Sequence, residues 1–207
     1  MTFSAMTFSA MTSVVNRARL ILERYGQRLS SLAGDQRGVS AVEFALLLPL
    51  MLALYLGVVE VSQGIGADRK VTMTARTIAD LVAQTSNVSN SDMTNSLNAA
   101  TAVMAPFPDS NLKVVVTRVD VDANGNATVA WSDTKNGTAK KKGDPVTLPA
   151  ALNIANSSLV WSEVEYAYKP TMGYVISGTL TLKDQLYMRP RLSVCVAREN
   201  VVAACPS

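Results

Sequence analysis

Residues 37–62 read RGVSAVEFALLLPLMLALYLGVVEVS, and this stretch decides how the rest of the chain is read. From Phe44 to Val59 it holds no charged residue. Val39–Val61 is 23 residues, or about 35 Å as a helix at 1.5 Å per residue, long enough to cross a bilayer with some tilt. Pro49 removes one backbone hydrogen bond and is expected to kink that helix, which membrane helices tolerate. One residue is out of keeping with the run. Glu43 stands at its entrance, five positions after Gly38, where a carboxylate carries a desolvation penalty.

The charge distribution orients the segment. The chain has 207 residues, 19 Lys and Arg against 16 Asp and Glu, and a net charge of +3. Residues 1–38 hold Arg17, Arg19, Arg24, Arg28 and Arg37 against Glu23 and Asp35, so the whole excess lies in this leader. A basic leader followed by a mixed flank (Asp68, Arg69, Lys70) predicts a cytoplasmic N-terminus and an extracytoplasmic remainder. Residues 39–207 are balanced, which argues against nucleic acid as a partner; Lys140, Lys141 and Lys142 read as a solvated loop. Within the leader, Val14, Ala18, Ile21, Tyr25, Leu29 and Leu32 form a helical stripe flanked by arginines, as in a short helix lying on a membrane face. The preceding MTFSAMTFSAMTS is a tandem repeat with three possible start methionines.

The absence of histidine removes the commonest general base and metal ligand. No phosphate loop, nucleophile elbow or paired-carboxylate site is evident, so no catalytic residue, cofactor or metal is expected. Glu163 and Glu165 alternate along a strand and share its polar face. Asp120, Asp122 and Asn124 match half of a calcium loop, but the position of its closing glutamate is Trp131 and the flanks read as strands. Cys195 and Cys205, with nine residues between them, suit a small disulfide-closed loop in an oxidising compartment; two free thiols are the alternative.

Beyond the apolar run, Val71, Ala75, Ile78 and Val82 continue a helix as a stalk to about Thr85. A second helix is expected from Ser91, stopped by Pro106 and Pro108. The period then changes to strands over 112–122 and 126–133, joined at Asn124-Gly125, a strong hairpin signal. After a loop over 135–145, a short helical piece near 149–155, a strand over 160–168 and a last strand over 174–188 are expected. The fold class is α+β: a long N-terminal transmembrane and stalk helix, then a small antiparallel-sheet domain. The expected divisions are a basic leader 1–38, a membrane helix 39–62 and an extracytoplasmic domain 63–207.

The basic leader ending in Arg37-Gly38, with glutamate five residues on, resembles a type IV prepilin cleavage site. More specifically, GVSAVEFALLLPLMLALYLGVVEVSQ is similar to the opening of TadE/TadG-like pseudopilins of the Tad (tight adherence, Flp pilus) system. The matching features are Glu43, Pro49 and Gly57-Val58-Val59-Glu60; DRKVTMTARTIADLV, SEVEYAYKPTM and YMRPRLS also resemble the family. The resemblance implies a pilin-like domain and a non-enzymatic minor pilin, cut by a prepilin peptidase between Gly38 and Val39. It also implies partners among other Tad pilins, inner-membrane assembly proteins and the bacterial inner membrane, with possible incorporation into the pilus. Glu43 would then pair with the N-terminal amine of a neighbouring subunit as a register device, since a buried charge is tolerable only when matched. Glu60 reads as a helix-end residue among headgroups. Two alternatives remain: an uncleaved, signal-anchored binding protein, and a protein released by signal peptidase near Gly64.

Overall fold

The computed structural model describes residues 37–207 except Thr171, Tyr174, Ile176, Asn200, Val202 and Ser207. The amphipathic helix expected within the leader lies outside the described residues. The chain divides into two units between Tyr55 and Leu56.

Helix α1 spans Arg37–Ala83 and carries Pro49 inside it. In the first unit every described side chain from Gly38 to Tyr55 is exposed. In the second unit the same helix acquires a buried stripe: Glu60, Gly64, Ala67, Val71, Thr74, Ile78 and Val82. The spacings are all three or four residues, which keeps one face toward the core. The helix ends where Thr85 and Gln84 fold back on it and the Arg191 backbone N–H caps the Ala83 carbonyl at 2.9 Å. The Arg191 guanidinium also pairs with Asp80.

A short strand β1 (Asn87–Val88) leads into α2 (Asn90–Met104). Ser89 caps this helix in a capping box with Asp92. The Ser89 hydroxyl accepts from the Asp92 N–H, and the Asp92 carboxylate accepts from the Ser89 N–H. The Ser89-x-x-Asp92 spacing carried that signal in the sequence. These hydrogen bonds hold the Asp92 carboxyl below its ordinary range.

Strands β2 (Leu112–Val121), β3 (Ala127–Lys135), β4 (Ser157–Tyr168) and β5 (Leu180–Met188) form an antiparallel sheet in the order β3-β2-β4-β5. One face carries Leu112, Val114 and Val116 from β2, Val160, Val164 and Tyr166 from β4, and Leu182 from β5. These side chains share one core with Val71, Ile78 and Val82 of α1. Each such aliphatic contributes about 1.5–3 kcal/mol when taken from water, so the helix face and the sheet hold each other. The β2–β3 turn is the expected hairpin. The Asp122 carboxylate accepts from the backbone N–H groups of Asn124 and Asn126, both at 2.8 Å, and Gly125 sits at φ +83°.

Two expectations are corrected. Residues 149–155 form a single turn, with the Leu152 and Asn153 N–H groups donating to the Pro149 carbonyl, and no helix. So short a piece cannot offset the cost of helix nucleation, and the neighbouring backbone is already committed to the edge of β3. The last strand begins at Leu180, not at residue 174. Its partner β4 stops at Tyr168, just before Pro170, and Gly178 at φ +91° turns the chain away from the ladder.

The C-terminal segment adds β6 (Ala197–Arg198), parallel to β1, and closes over the core-facing end of β2. Arg118 is fully buried there. Its Nε donates to Asp120 at 2.8 Å, and its guanidinium also donates to the carbonyls of Val196 (3.3 Å), Ala203 (3.4 Å) and Ala204 (2.8 Å). Trp131 Nε1 donates to the same Val196 carbonyl at 2.9 Å. Arg198 forks onto Asp133 at 2.8 and 3.1 Å. Cys195 and Cys205 are joined as a disulfide, with Cα atoms 5.6 Å apart, and so bracket the carbonyls that surround Arg118.

Two substitutions check this core. Ile78→Ala is expected to destabilise the folded domain by about 2–5 kcal/mol through cavity formation, read as a lower denaturation midpoint of the full chain in micelles. Arg118→Ala is expected to cost about 3 kcal/mol, because Asp120 and three carbonyls lose a shared donor, and to raise hydrogen exchange selectively in residues 195–205.

Candidate functional site

The residues singled out at the entrance of the apolar run lie together on α1. Gly38, Val39 and Glu43 occupy its first two turns, and all three are exposed. Nothing lies near a Cβ built on Gly38. Leu46, Leu50, Leu54 and Tyr55 are each more than half exposed, so this part of the helix offers an apolar surface on all sides. In water such a surface would be a large uncompensated patch. The helix is also, among the described residues, the one long and apolar enough to cross a membrane. Pro49 sits in the middle, where its missing N–H leaves the Ala45 carbonyl without its usual intrahelical donor.

At the other end of the apolar run, Gly57 and Glu60 do something the sequence reading missed. Glu60 is not a helix-end residue, since α1 runs on to Ala83, and it is 3% exposed. Its carboxylate accepts from the backbone N–H of Val175 at 3.0 Å. Gly57, one turn earlier on the same face, lets Val175 approach closely: a Cβ there would meet the Val175 Cγ2 at 3.2 Å. Glycine and glutamate three apart therefore seat the loop between β4 and β5 on the helix. Tyr168, at the end of β4, has its hydroxyl pKa raised first by burial and then by the charge of Glu60. The signal available in the sequence was the stripe itself, since Gly57, Glu60, Gly64, Ala67 and Val71 already alternate at three and four. Reading it needed the stripe to begin inside the apolar run, where every position looks equally buried.

The open face of the sheet carries polar side chains that pair with one another. Glu165 bridges Lys113 at 2.9 Å and Lys183 at 2.7 Å, and those two lysines hold its carboxyl below its ordinary range. Glu163 pairs with Lys140 at 2.8 Å. Lys140 also lies 4.1 Å above the ring of Trp161, which stacks on Tyr187. The reading of this lysine as merely solvated is thus corrected: the loop folds back and its charge meets a carboxylate and an indole face. Glu163 and Glu165 share the polar face as their alternation required, and each is engaged in an ion pair. Among the described residues no group of three or more acidic, cysteine or histidine side chains is placed to hold a metal.

The first unit is thus an apolar helix carrying one exposed carboxylate, and the second holds a small sheet whose open-face charges Lys113, Lys140, Glu163, Glu165 and Lys183 pair with one another. Comparison with known proteins gives one family match, to the model described as TadE-like protein, over residues 38–80. No curated protein matches the chain. No solved structure matches it either. The matched segment contains Gly38, Glu43, Pro49, Gly57 and Glu60 and ends within the buried stripe under the sheet. Over residues 38–80 the chain is therefore similar to TadE-like proteins.

Proposed function

We propose that the protein is a minor pilin or pseudopilin of a Tad (Flp) pilus, made as a precursor and cut by a prepilin peptidase between Gly38 and Val39. The TadE-like segment and the long apolar helix fit a membrane-anchored component of such a pilus. The observation that carries the finer reading is the position of Glu43. It is a lone exposed carboxylate at the start of a helix with an apolar surface on every side, five residues after a glycine with open space around it.

Cleavage after Gly38 creates an ammonium group on Val39. A carboxylate near the membrane is tolerable when an opposite charge meets it, and the new amine of a neighbouring subunit supplies one. Glu43 then sets the axial register between helices while the apolar side chains around it supply packing area. The chain lies with its N-terminus in the cytoplasm of a bacterial inner membrane and its sheet domain outside, where a Cys195–Cys205 bond is stable. Its partners are the peptidase, other pilins and the inner-membrane assembly proteins, and its role is structural, without cofactor or nucleic acid. The ion-paired open face of the sheet is consistent with a structural role.

Release by signal peptidase near Gly64 would discard Gly57 and Glu60, and with them the seat of the β4–β5 loop. Intact-mass measurement of the protein from membranes is expected to give a mature N-terminus at Val39. An intact leader would instead identify an uncleaved anchor, and a start at Ile65 or Ala67 a secreted form. Glu43→Ala is expected to leave membrane insertion unchanged and to reduce pilus assembly, counted by electron microscopy; normal piliation would remove the register role.

A further inference from the structure

The loop between β4 and β5 has a composition and a seat that belong together. Residues 170–179, PTMGYVISGT, contain no charged residue, and Lys169 stands exposed just before them. Of the described side chains, Met172 is 49% and Val175 58% exposed. These apolar groups are not held on the domain core. Val175 is held against α1 by the Glu60 carboxylate on its N–H and by its close approach to Gly57, and Met172 lies three residues before it. Gly57 lies four residues before Val61, the end of the apolar run, or about 6 Å along the helix axis. At that level the helix exposes Val58 and Val61, so loop and helix present one continuous apolar surface.

We infer that this loop is a second membrane contact, with Met172 and Val175 entering the extracytoplasmic face of the lipid bilayer at the headgroup–acyl boundary. The inference rests on the reading that residues 39–61 span the bilayer, because the loop is fixed to positions inside that span. An apolar surface continuous with a membrane helix takes the same solvent as the helix, and insertion to that depth is the usual mode of interfacial anchors. Lys169 lies at the point where the chain leaves the apolar surface, suited to anionic headgroups. Glu60 then works as a latch. Its charge is satisfied by a backbone donor of the loop, so the carboxylate enters the interface already hydrogen-bonded.

The test uses the full chain in vesicles of phosphatidylcholine and phosphatidylglycerol, in a Cys195→Ser/Cys205→Ser background. Single cysteines replace Val175, Met172, Tyr55 or Ala139, and each carries an environment-sensitive fluorophore. Nitroxide groups placed shallow or deep on the lipid acyl chains quench according to depth. The expected result is a several-fold stronger quenching by the shallow nitroxide at 175 and 172 than at 139, with the label at 55 quenched by the deep one. Quenching at 175 and 172 no greater than at 139, with 55 still quenched, would overturn the loop contact and leave the span standing. Loss of quenching at 55 would overturn the spanning reading itself. Shielding at 175 that grows with protein density and ignores the nitroxides would mean that a second copy covers the loop, and would also overturn the proposal.

Discussion

The stripe of α1 from Gly57 to Val82 carries the rest of the domain. Its aliphatic part, Val71 to Val82, fills the core against β2, β4 and β5, and its first two members hold the β4–β5 loop. One helix face therefore sets both where the sheet sits on the stalk and where a loop meets the last turn of the apolar run. A helix of this length gains most of its stability from such packing and little from intrinsic propensity. Where no face is buried, as from Gly38 to Tyr55, the apolar side chains need another partner, and lipid or neighbouring helices are the physical candidates.

Buried charge is handled in two contrasting ways. Arg118 sits at the closed end of the domain with a carboxylate and three main-chain carbonyls around it, so the C-terminal segment is organised by one guanidinium. Glu60 sits at the start of the buried stripe, next to the apolar run, with a main-chain N–H on its carboxylate. Both charges use the backbone of irregular segments as their partner. That choice ties both irregular segments down through their main chains. Glu43 differs from both, being exposed on a helix with no local backbone to satisfy it. Under the proposed function its partner is the amine of a neighbouring subunit, whereas Glu60 finds its partner within the fold.

Much of the architecture was legible because periodicity and turn chemistry are local. The three- and four-residue spacing of Val71, Ala75, Ile78 and Val82 marked the stalk, and Asn124-Gly125 marked the hairpin. The alternation in SEVEYAYKP placed Glu163 and Glu165 on the open face. The misses share a cause. Residues 149–155 have helix-compatible composition, but the chain just before them, at 143–146, is hydrogen-bonded to the edge of β3. Residues 174–179 have strand-like composition, but no partner strand extends beyond Tyr168. Local preference cannot report what stands alongside.

By itself the sequence determined the apolar helix, its entrance at Gly38 and Glu43, the pattern that assigns residues 38–80 to a TadE-like segment, and the α+β order of elements. Those features follow from composition and short-range spacing, which the chain carries wherever it goes. Only the tertiary structure decided that Glu60 accepts from the Val175 N–H, that Val175 packs close on Gly57, that Lys140 lies on Trp161, and that Arg118 gathers the C-terminal carbonyls. Each depends on a partner more than twenty residues away in sequence. The energy of a hydrogen bond or a close contact is set by distance in space, and a linear pattern leaves that distance open.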